Sequence, residues 1–412
     1  MIRYILFLLA LVFSTPAMAD QIRIVGGPKP APVITVKYGD TLVTNKALVE
    51  NTAADGTITR RYAAWIDRVR PSGDNKFQID GATKLRLDGF VTGEGYIYSL
   101  LDAVAPPAAP TQLTGVNLSG CTFATGTSLC PTTADIDTYK AKGFTLIRLP
   151  VSDRNLTNVT ERAKIIELVS HAQSIGLQVI LDRHDYTRHS GADAWAFWQP
   201  ILPYFSAETL IELSNEPYKG YPAGENQWMV SAQDTKDTVA LFRANGITNP
   251  ILYGSPGYNA TFRFLKFKGA NFPAEGMGDA ISRVGGINDP LDKTFFSGHR
   301  YLDNGSKGEL ATCKSTGDAG IADWAASLRQ YGVKAYFTEF AFGRHSGIPA
   351  SCVAVGDAML AAVRANSDVI VGTTVWGGGR AWKESYLFKI EPVKGTFATA
   401  PNSEYLNKIL GE

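Results

Sequence analysis

The sequence lacks the features that mark several large classes of protein. Of its 412 residues, 40 are lysine or arginine and 39 are aspartate or glutamate, so the formal net charge is only +1. There is no basic run of note, which leaves a nucleic-acid-binding surface without support. No Gly-x-Gly-x-x-Gly follows the first predicted strand after residue 112, so nucleotide binding also has no support. With 45% hydrophobic and 19% charged residues, the composition is that of an ordinary globular protein.

Long hydrophobic runs are also missing, except at the N-terminus. Arg3, the apolar stretch 5–13 and the small residues 17–19 have the form of a secretory signal with its cleavage site. The alternative is a membrane anchor, but the apolar run is too short to span a bilayer. We therefore expect residues 1–19 to be a signal peptide that is removed on export to the periplasm or the medium, leaving no membrane association.

Cysteine is scarce, with four residues in the whole chain. An even number in an exported protein predicts two disulfides, for which three pairings are possible. We favour the local pairing, Cys121 with Cys130 and Cys313 with Cys352. A zinc site is the alternative, but the sequence has no Cys-x-x-Cys pair and no clustered histidine to support it.

The chain changes character near residue 104. Residues 20–103 contain short alternating or β-branched segments separated by glycine- and aspartate-rich turns, which predicts a small β-sandwich. Residues 104–111 form a linker rich in proline and alanine, which favours an extended conformation. The N-terminal domain is then either a polysaccharide-binding module or a structural cap on the domain that follows.

From residue 112 to the C-terminus, predicted strands alternate with amphipathic helices. The strands are 113–118, 145–151, 178–182, 210–213, 250–254, 294–298, 334–338 and 369–375. The helices are 134–142, 160–175 (with Thr160 as its cap), 228–244, 321–331, 353–365 and 402–410, with weaker patterns after the third and fifth strands. This order predicts a (β/α)8 barrel of the α/β class, and an open doubly wound sheet is the alternative.

Polar and aromatic residues recur where the predicted strands end, and a barrel enzyme has its active site at the carboxyl ends of its strands. These residues are Arg148 (second strand), His184 (third), Asn215 and Glu216 (fourth), His299 and Tyr301 (sixth), Glu339 (seventh) and Trp376 (eighth). Each has an alternative interpretation when taken alone, such as a helix cap for Glu216 or a structural histidine for His184. Their recurrence on six of eight strands is hard to explain as core packing.

Glu216 and Glu339 are the most informative pair, because the fourth and seventh strands lie across the mouth of a barrel. Two carboxyl groups that face a glycosidic bond are sufficient for its hydrolysis, provided that one is protonated and the other ionised. We expect Arg148 and His299, as cations or donors, to keep one carboxylate charged. Trp376 offers a flat apolar face to a sugar ring.

Several motifs together resemble glycoside hydrolase family 5 (cellulase family A), with the secreted endoglucanases of the fungal endoglucanase II type as the nearest branch. The motifs are Leu181-Asp-Arg-His-Asp-Tyr186, Asn215-Glu216-Pro217, Gly257-Tyr258, His299-Arg300-Tyr301-Leu302-Asp303, Thr338-Glu339-Phe340, Val375-Trp376-Gly377 and Tyr386-Leu-Phe-Lys-Ile-Glu-Pro392. The resemblance runs from about residue 113 to the C-terminus and includes the pair Cys313/Cys352. The N-terminal residues are outside it.

The resemblance implies a role for each candidate residue. Glu216 would be the general acid/base and Glu339 the nucleophile of a retaining mechanism, whose two carboxyl groups lie about 5–5.5 Å apart. The residues implied to support them or to bind substrate are Arg148, His184, Asn215, His299, Tyr301 and Trp376. The sequence departs from the family pattern at Asp185, where asparagine is usual, and after Tyr258, where a sugar-stacking tryptophan is usual.

We therefore expect an exported, monomeric, retaining endo-β-1,4-glucanase that acts on a β-linked polysaccharide and needs no metal or organic cofactor. The alternatives are an endo-acting hydrolase of mannan, xyloglucan or mixed-linkage glucan, and a non-catalytic carbohydrate-binding barrel. Trp195 and Trp198 lie on an apolar helix face, which favours core positions for both, and the same interpretation applies to Trp228 and Trp324.

Overall fold

The computed structural model describes residues 112–265, 276–392 and 397–412, and before them only the course of short strands between residues 21 and 100. The chain divides into two units, Met1–Ala108 and Ala109–Glu412. The strands of the first unit are Gln21–Ile24, Ile34–Tyr38, Thr41–Asn45, Leu48–Thr52, Ile58–Tyr62, Arg70–Ser72, Lys76–Gln78, Leu85–Val91 and Gly95–Leu100. The predicted signal peptide (1–19), the linker (104–111) and the segments between these strands lie outside the described residues, so the sandwich assignment for 20–103 stays a prediction.

The described strands of the second unit form a closed parallel barrel in chain order. They are β1 (Leu113–Leu118), β2 (Leu146–Val151), β3 (Gln178–Arg183), β4 (Leu210–Glu212), β5 (Ile251–Tyr253), β6 (Thr294–Tyr301), β7 (Lys334–Ala341) and β8 (Ile370–Gly378). Pairing of β8 with β1 closes the barrel. The predicted (β/α)8 fold is confirmed, and the open sheet is excluded.

Helices surround this barrel. They are α1 (Thr133–Ala141), α2 (Asp153–Thr157), α3 (Val159–Ser174), α4 (Gly191–Trp198), α5 (Gln227–Ala244), α6 (Phe262–Leu265), α7 (Met277–Arg283), α8 (Ile321–Tyr331), α9 (Ala350–Ala365) and α10 (Glu404–Leu410). The cap of α3 is Asn158, whose side chain accepts from the backbone N–H of Thr160, so the prediction of Thr160 as the cap was wrong. In the described part of the chain, every helix is too short or too polar to cross a membrane.

The barrel interior is layered. Near the amino ends of the strands, each strand contributes one apolar side chain to a common cluster, which consists of Leu113, Leu146, Ile180, Leu210, Leu252, Phe295, Tyr336 and Val371. Strand side chains alternate in direction, so the next inward position is two residues further along. On β2, β3 and β4 that position is occupied by Arg148, Asp182 and Glu212, all fully buried. The barrel therefore has an apolar floor and a charged layer above it.

A second apolar core lies outside the barrel, between strands and helices. Trp198, Trp228 and Trp324 are buried there, as predicted, whereas Trp195 is only partly buried and packs against this core. Two disulfides join Cys121 to Cys130 and Cys313 to Cys352, the local pairing that the sequence favours.

Several residues predicted at strand ends lie inside strands. Arg148 is the third residue of β2. Strands β6, β7 and β8 each continue three residues beyond their predicted ends, to Tyr301, Ala341 and Gly378. The pairing between β6 and β7 shifts register after Gly298, and this irregularity lets both strands continue upward into the polar layer.

Candidate active site

Glu216 lies in the turn that follows β4, with its backbone in the left-handed region at φ 42°. A non-glycine residue adopts this conformation at an energetic cost, and it persists where the surroundings impose it. Here the flanking chain is fixed, because the N–H of Asn215 donates to the carbonyl of Arg183 and Pro217 follows directly. The turn thus holds the Glu216 side chain over the barrel mouth, where it is 18% exposed.

Glu339 lies on β7 and faces Glu216. One oxygen of each carboxyl group and one ring nitrogen of His299 lie within 4.8 Å of one another. Nδ1 of His299 is 2.7 Å from Oε1 of Glu216 and 3.6 Å from Oε2 of Glu339, so the imidazole bridges the two carboxyl groups. Carboxyl oxygens this close leave no room between them for the water that an inverting mechanism requires.

Glu339 is held by two donors. Nη1 of Arg148 donates to Oε1 of Glu339 over 2.7 Å, and the phenol of Tyr301 donates to Oε2 over 2.9 Å. Both oxygens therefore accept hydrogen bonds, as an ionised carboxylate does. The ring of Tyr301 stacks on Phe388 at 5.9 Å, which fixes the direction of its hydroxyl. The side chain of Glu339 is only 6% exposed.

Arg148 is itself fixed from three sides. Its Nε and Nη2 donate to the two oxygens of Glu212 at 2.7 and 3.0 Å, a bidentate pair. Nη1 also donates to Oδ1 of Asn117 at 2.9 Å, and Nη2 to Oδ1 of Asn215 at 2.8 Å. Since its oxygen is bound to Arg148, the amide NH2 of Asn215 is directed away from the guanidinium.

Asn117 and Glu212 are functional neighbours that the sequence-based prediction missed. Both lie inside the apolar strands that the sequence predicts, 113–118 and 210–213, although the observed β4 ends at Glu212. The signal that would have found Glu212 is the strand period: it lies two residues beyond Leu210, which points into the barrel floor. The hydroxyl of Ser297, equally missed, donates to Glu212 over 2.7 Å and extends the network to β6.

The two proton-transfer candidates near the cleft have different environments. Burial raises the pKa of Glu216 to about 7, with the positive charge of Arg148 opposing the shift. Burial lowers the pKa of His299 to about 4, although the negative charge of Glu339 acts in the opposite direction. Near neutral pH the imidazole of His299 is therefore uncharged, because the barrel desolvates it. Of the two roles that the sequence predicts for His299, cation or donor, this environment favours the donor.

Asp182 moderates the charge around Arg148. Its Oδ2 lies 3.0 Å from Nη2 of Arg148 and 2.7 Å from Nδ1 of His184. Burial raises the pKa of Asp182 to about 7, against the lowering effect of Arg148. Around neutral pH this carboxyl group is partly protonated, and Arg148 then compensates chiefly Glu212 and Glu339.

The remaining candidates form one wall of the cleft. The ring of His184 stacks on Trp376 at a centroid distance of 5.8 Å and an interplanar angle of 14°. The indole N–H of Trp376 donates to the hydroxyl of Tyr386 over 2.8 Å. Both residues are partly exposed, so they line the cleft beside the carboxyl pair. All eight candidate residues thus surround one cavity mouth, directly or through Arg148.

Asp185, which departs from the family pattern, points away from the carboxyl pair. Its Oδ1 accepts from the hydroxyl of Ser214 over 2.7 Å, and Oδ2 pairs with the ring of His189. Burial would raise its pKa, but the hydrogen bond and charge of His189 outweigh this and hold the pKa of Asp185 below its ordinary value. Asp185 therefore stabilises the turns after β3 and β4.

Glu216, His299 and Glu339 also have the geometry of a three-ligand cation site. The guanidinium of Arg148 stands 2.7 Å from Glu339 and already supplies the positive charge at this position. A second cation there would be repelled by it. The arrangement is better suited to a protonated and an ionised carboxyl group that act together on one bond than to holding a metal ion.

Known proteins are similar to this chain in sequence and in fold. Endoglucanase gh5-1 of Neurospora crassa is 25% identical over 292 residues, which cover 66% of this chain and 69% of that protein. Endo-beta-1,4-glucanase A of Emericella nidulans is 23% identical over 324 residues, covering 72% of this chain and 92% of its own length. The crystal structure of Cel5A (EG2) from Hypocrea jecorina superposes with a TM-score of 0.58 at 21% identity, covering 72% of this chain and 98% of that one.

The chain also matches a protein family as a whole. The model of the family described as "Cellulase (glycosyl hydrolase family 5)" matches residues 104–379, which are more than half of the chain. The matched region contains β1 to β8 and both glutamates. This chain therefore belongs to glycosyl hydrolase family 5.

Proposed function

We propose that the protein is a retaining endo-β-1,4-glucanase in which Glu216 is the general acid/base and Glu339 the nucleophile. The observation that carries the proposal is the close approach of the two carboxyl groups, within 4.8 Å, in unequal environments. Glu216 has a pKa raised to about 7 by burial, and Glu339 accepts hydrogen bonds from Arg148 and Tyr301. Such inequality assigns the proton to one carboxyl group and the nucleophilic charge to the other.

In the first step, an oxygen of Glu339 attacks the anomeric carbon while Glu216 gives its proton to the glycosidic oxygen, and the leaving sugar departs. The product is a glycosyl ester on Glu339. In the second step Glu216, now ionised, takes a proton from water, whose oxygen displaces Glu339 from the anomeric carbon. Two inversions restore the original configuration.

The neighbours of the glutamates have supporting roles in this scheme. Arg148 and Tyr301 orient Glu339 and stabilise its charge before attack and after release. The free amide hydrogens of Asn215 are placed to donate to a hydroxyl of the sugar under attack. His184 and Trp376 form the wall against which that end of the chain rests.

The preferred substrate follows from the relatives. The proteins of Neurospora crassa and Emericella nidulans are named as endoglucanases, and a structurally similar chain, XacCel5A, has been crystallised with cellopentaose. A soluble β-1,4-glucan is therefore the expected substrate. Mannan, xyloglucan and mixed-linkage glucan are the competing polymers, and a panel of these with product sizing distinguishes them.

The proposed location is the periplasm or the medium, after export. Residues 1–19 direct export, and N-terminal sequencing of the mature protein is expected to begin at Asp20. Residues 20–103 form an accessory domain, joined by the linker 104–111 to the catalytic domain, 112–412. If this domain binds polysaccharide, its removal will reduce retardation of the protein in glucan gels. If it is a cap, removal will lower the melting temperature instead.

The direct test uses Glu216→Ala and Glu339→Ala with release of reducing ends from soluble β-glucan as the measurement. Both variants are expected to lose hydrolysis while still binding the polymer. Glu225→Ala, an exposed glutamate that follows the same strand, is the matched control. Undiminished hydrolysis by either active-site variant would contradict the proposal, and a wild-type protein that binds but never cleaves would indicate a non-catalytic barrel.

A further inference from the structure

A cavity of about 320 Å³ lies beside the active site and is here called the side cavity. Its lining residues belong to the loop after β7 (343–349), to the loop after β8 (385–388) and, with Ala311, to the loop after β6. Of the described residues that line it, none is one of the eight candidate residues of the active site. The side cavity is therefore a separate place for a ligand, at the small end of the size range of small-molecule sites.

Phe388 borders both the side cavity and the active site. It lines the side cavity, and its ring stacks on Tyr301 at 5.9 Å. Tyr301 in turn donates a hydrogen bond to Glu339. A ligand in the side cavity would therefore contact the residue that supports Tyr301, without contacting either glutamate.

Backbone hydrogen bonds hold the loops that form the side cavity. The N–H of Arg344 donates to the carbonyl of Gly347 over 3.1 Å, and the N–H of Gly347 donates to the carbonyl of Arg344 over 3.0 Å. This closes a tight turn, for which Gly347 adopts φ 136°, a conformation that favours glycine. The N–H of His345 donates to the carbonyl of Lys389 over 2.9 Å and so ties the turn to the loop after β8. The side cavity is therefore formed before a ligand arrives.

Arg344 is the one charged residue among the described residues that line the side cavity. Its Nη2 donates to the backbone carbonyl of Glu384 over 2.7 Å, and its Nε is buried without an acceptor in the described part of the chain. The carboxylate of Glu384 pairs with Lys389 instead of with Arg344. The guanidinium of Arg344 therefore brings to the side cavity a positive charge and a free donor, the combination that binds a carboxylate.

The other lining groups match the surface of a sugar. Ser346 and Ser385 are exposed and offer hydroxyl groups at the edge of the side cavity. Ile348, Leu387 and Phe388 supply apolar surface inside it. A pyranose ring likewise has hydroxyl groups around its edge and apolar C–H groups on its faces. An apolar lining with a few placed polar groups is typical of a small-molecule site.

The helix that follows the loop also favours a negative charge. Pro349 lines the side cavity and is the cap of α9, and it provides no side-chain acceptor to the N–H groups of the first turn. That turn contains no acidic residue, so the positive end of the helix dipole adds to the charge of Arg344. One guanidinium balances one carboxylate, whereas a phosphate ester carries nearly two negative charges. A carboxylate therefore fits this lining better than a phosphate does.

We propose that the side cavity binds a monosaccharide that carries one carboxylate, such as a hexuronate. The carboxylate of the ligand pairs with Arg344, its ring lies against Leu387 and Phe388, and its hydroxyl groups face Ser346 and Ser385. This site is distinct from the cleft that holds the two glutamates. The proposal does not depend on which bond the enzyme cleaves, because it concerns binding alone.

The test is a ligand-observed NMR titration of the full-length protein with glucuronate and with glucose. Glucuronate is expected to bind with a Kd of about 1 mM, an affinity in keeping with a ligand of this size, and glucose roughly tenfold more weakly. Arg344→Gln is expected to bind both sugars equally weakly. Ser385→Trp narrows the side cavity without changing Arg344, and it is also expected to lose glucuronate. Arg364→Gln is the matched control, since exposed Arg364 likewise donates to a backbone carbonyl but does not line the side cavity.

Three results would overturn the proposal. The first is equal affinity of the wild type for glucose and glucuronate, or unchanged glucuronate binding by Arg344→Gln. The second is tighter binding of glucose 6-phosphate than of glucuronate, which would show that the recognised group is a phosphate. The third is displacement of glucuronate by cellopentaose from the Glu216→Ala variant, which would place the ligand in the cleft. The titration measures no hydrolysis, so each of these results leaves the proposed function intact.

Discussion

Nδ1 of His299 lies 2.7 Å from Oε1 of Glu216, and burial keeps this imidazole uncharged near neutral pH by lowering its pKa to about 4. Among the described residues, Nε2 of His299 has no hydrogen-bond partner, so no neighbour locks the ring into one tautomer. A neutral imidazole can accept a hydrogen bond from protonated Glu216 or donate one to the ionised form. The contact therefore suits both protonation states that an acid/base must adopt.

The raised pKa of Glu216 has a consequence for stability. Burial raises the pKa of this carboxyl group to about 7 in the folded protein, against an ordinary pKa of 4.5. The protonated carboxyl group therefore contributes stability that is fully present below pH 4.5 and is lost as the pH rises through 7. The side chain at position 216 in the Glu216→Gln variant cannot ionise. We predict that urea unfolding shows similar stability of variant and wild type at pH 4, and a variant more stable by up to about 3 kcal/mol at pH 8.

Glu225→Gln provides the control for the substitution itself, because Glu225 is exposed in the loop after the same strand. If the difference in unfolding free energy between Glu216→Gln and the wild type is the same at pH 4 and pH 8, the folded protein does not disfavour the ionised form of Glu216.

The same group shapes the dependence of activity on pH. Glu216 must carry a proton to assist departure of the leaving group, so kcat/KM on cellopentaose is expected to fall as the pH rises through about 7. His299 cannot produce this limb, since burial lowers its pKa to about 4. Measurement of kcat/KM from pH 4 to pH 9 tests the assignment, and a rate that stays constant up to pH 9 would contradict it.

Arg148 is predicted to matter for stability as well as for catalysis. Arg148→Met leaves Glu212 and Glu339 buried without their cation, which is expected to cost about 3–5 kcal/mol of unfolding free energy. Adding Glu212→Gln removes one of the unpaired charges, so the double variant should recover part of the stability. It should not recover activity, because Glu339 still lacks Arg148, one of its two donors. Recovery of both would mean that Arg148 has only a structural role.

Tyr301→Phe isolates the hydrogen bond to Glu339, since the phenylalanine ring can keep the stacking on Phe388. A hydrogen bond to a charged group contributes about 1.5–3 kcal/mol, so kcat is expected to fall roughly 10- to 100-fold. Tyr405→Phe is the control, because its buried hydroxyl accepts from the backbone N–H of Phe342, outside the cleft. An unchanged kcat in the Tyr301 variant would remove this residue from the catalytic account.

The barrel was predictable because short, largely apolar runs, typical of strands buried on both faces, alternate in the sequence with amphipathic helical segments. The strand ends were less predictable. β6 continues past Gly298 through a shift in pairing register, which depends on the neighbouring strand and leaves no local pattern in the sequence. Glu212 was not predicted to be a site residue because it stands between isoleucine and leucine neighbours, and because its partner Arg148 lies 64 positions away. The charge of His299 depends on burial, which only the closed barrel establishes.

Trapping of the covalent intermediate tests the proposed retaining mechanism most directly. A 2-deoxy-2-fluoro cellobioside with a good leaving group slows the second step more than it prevents the first, so the glycosyl enzyme accumulates and peptide mass spectrometry locates it. A glycosyl ester on Glu339 is expected, together with a hydrolysis product that keeps the β configuration. A label on Glu216 or another residue, or an unlabelled enzyme that releases the α anomer, would contradict the proposed mechanism.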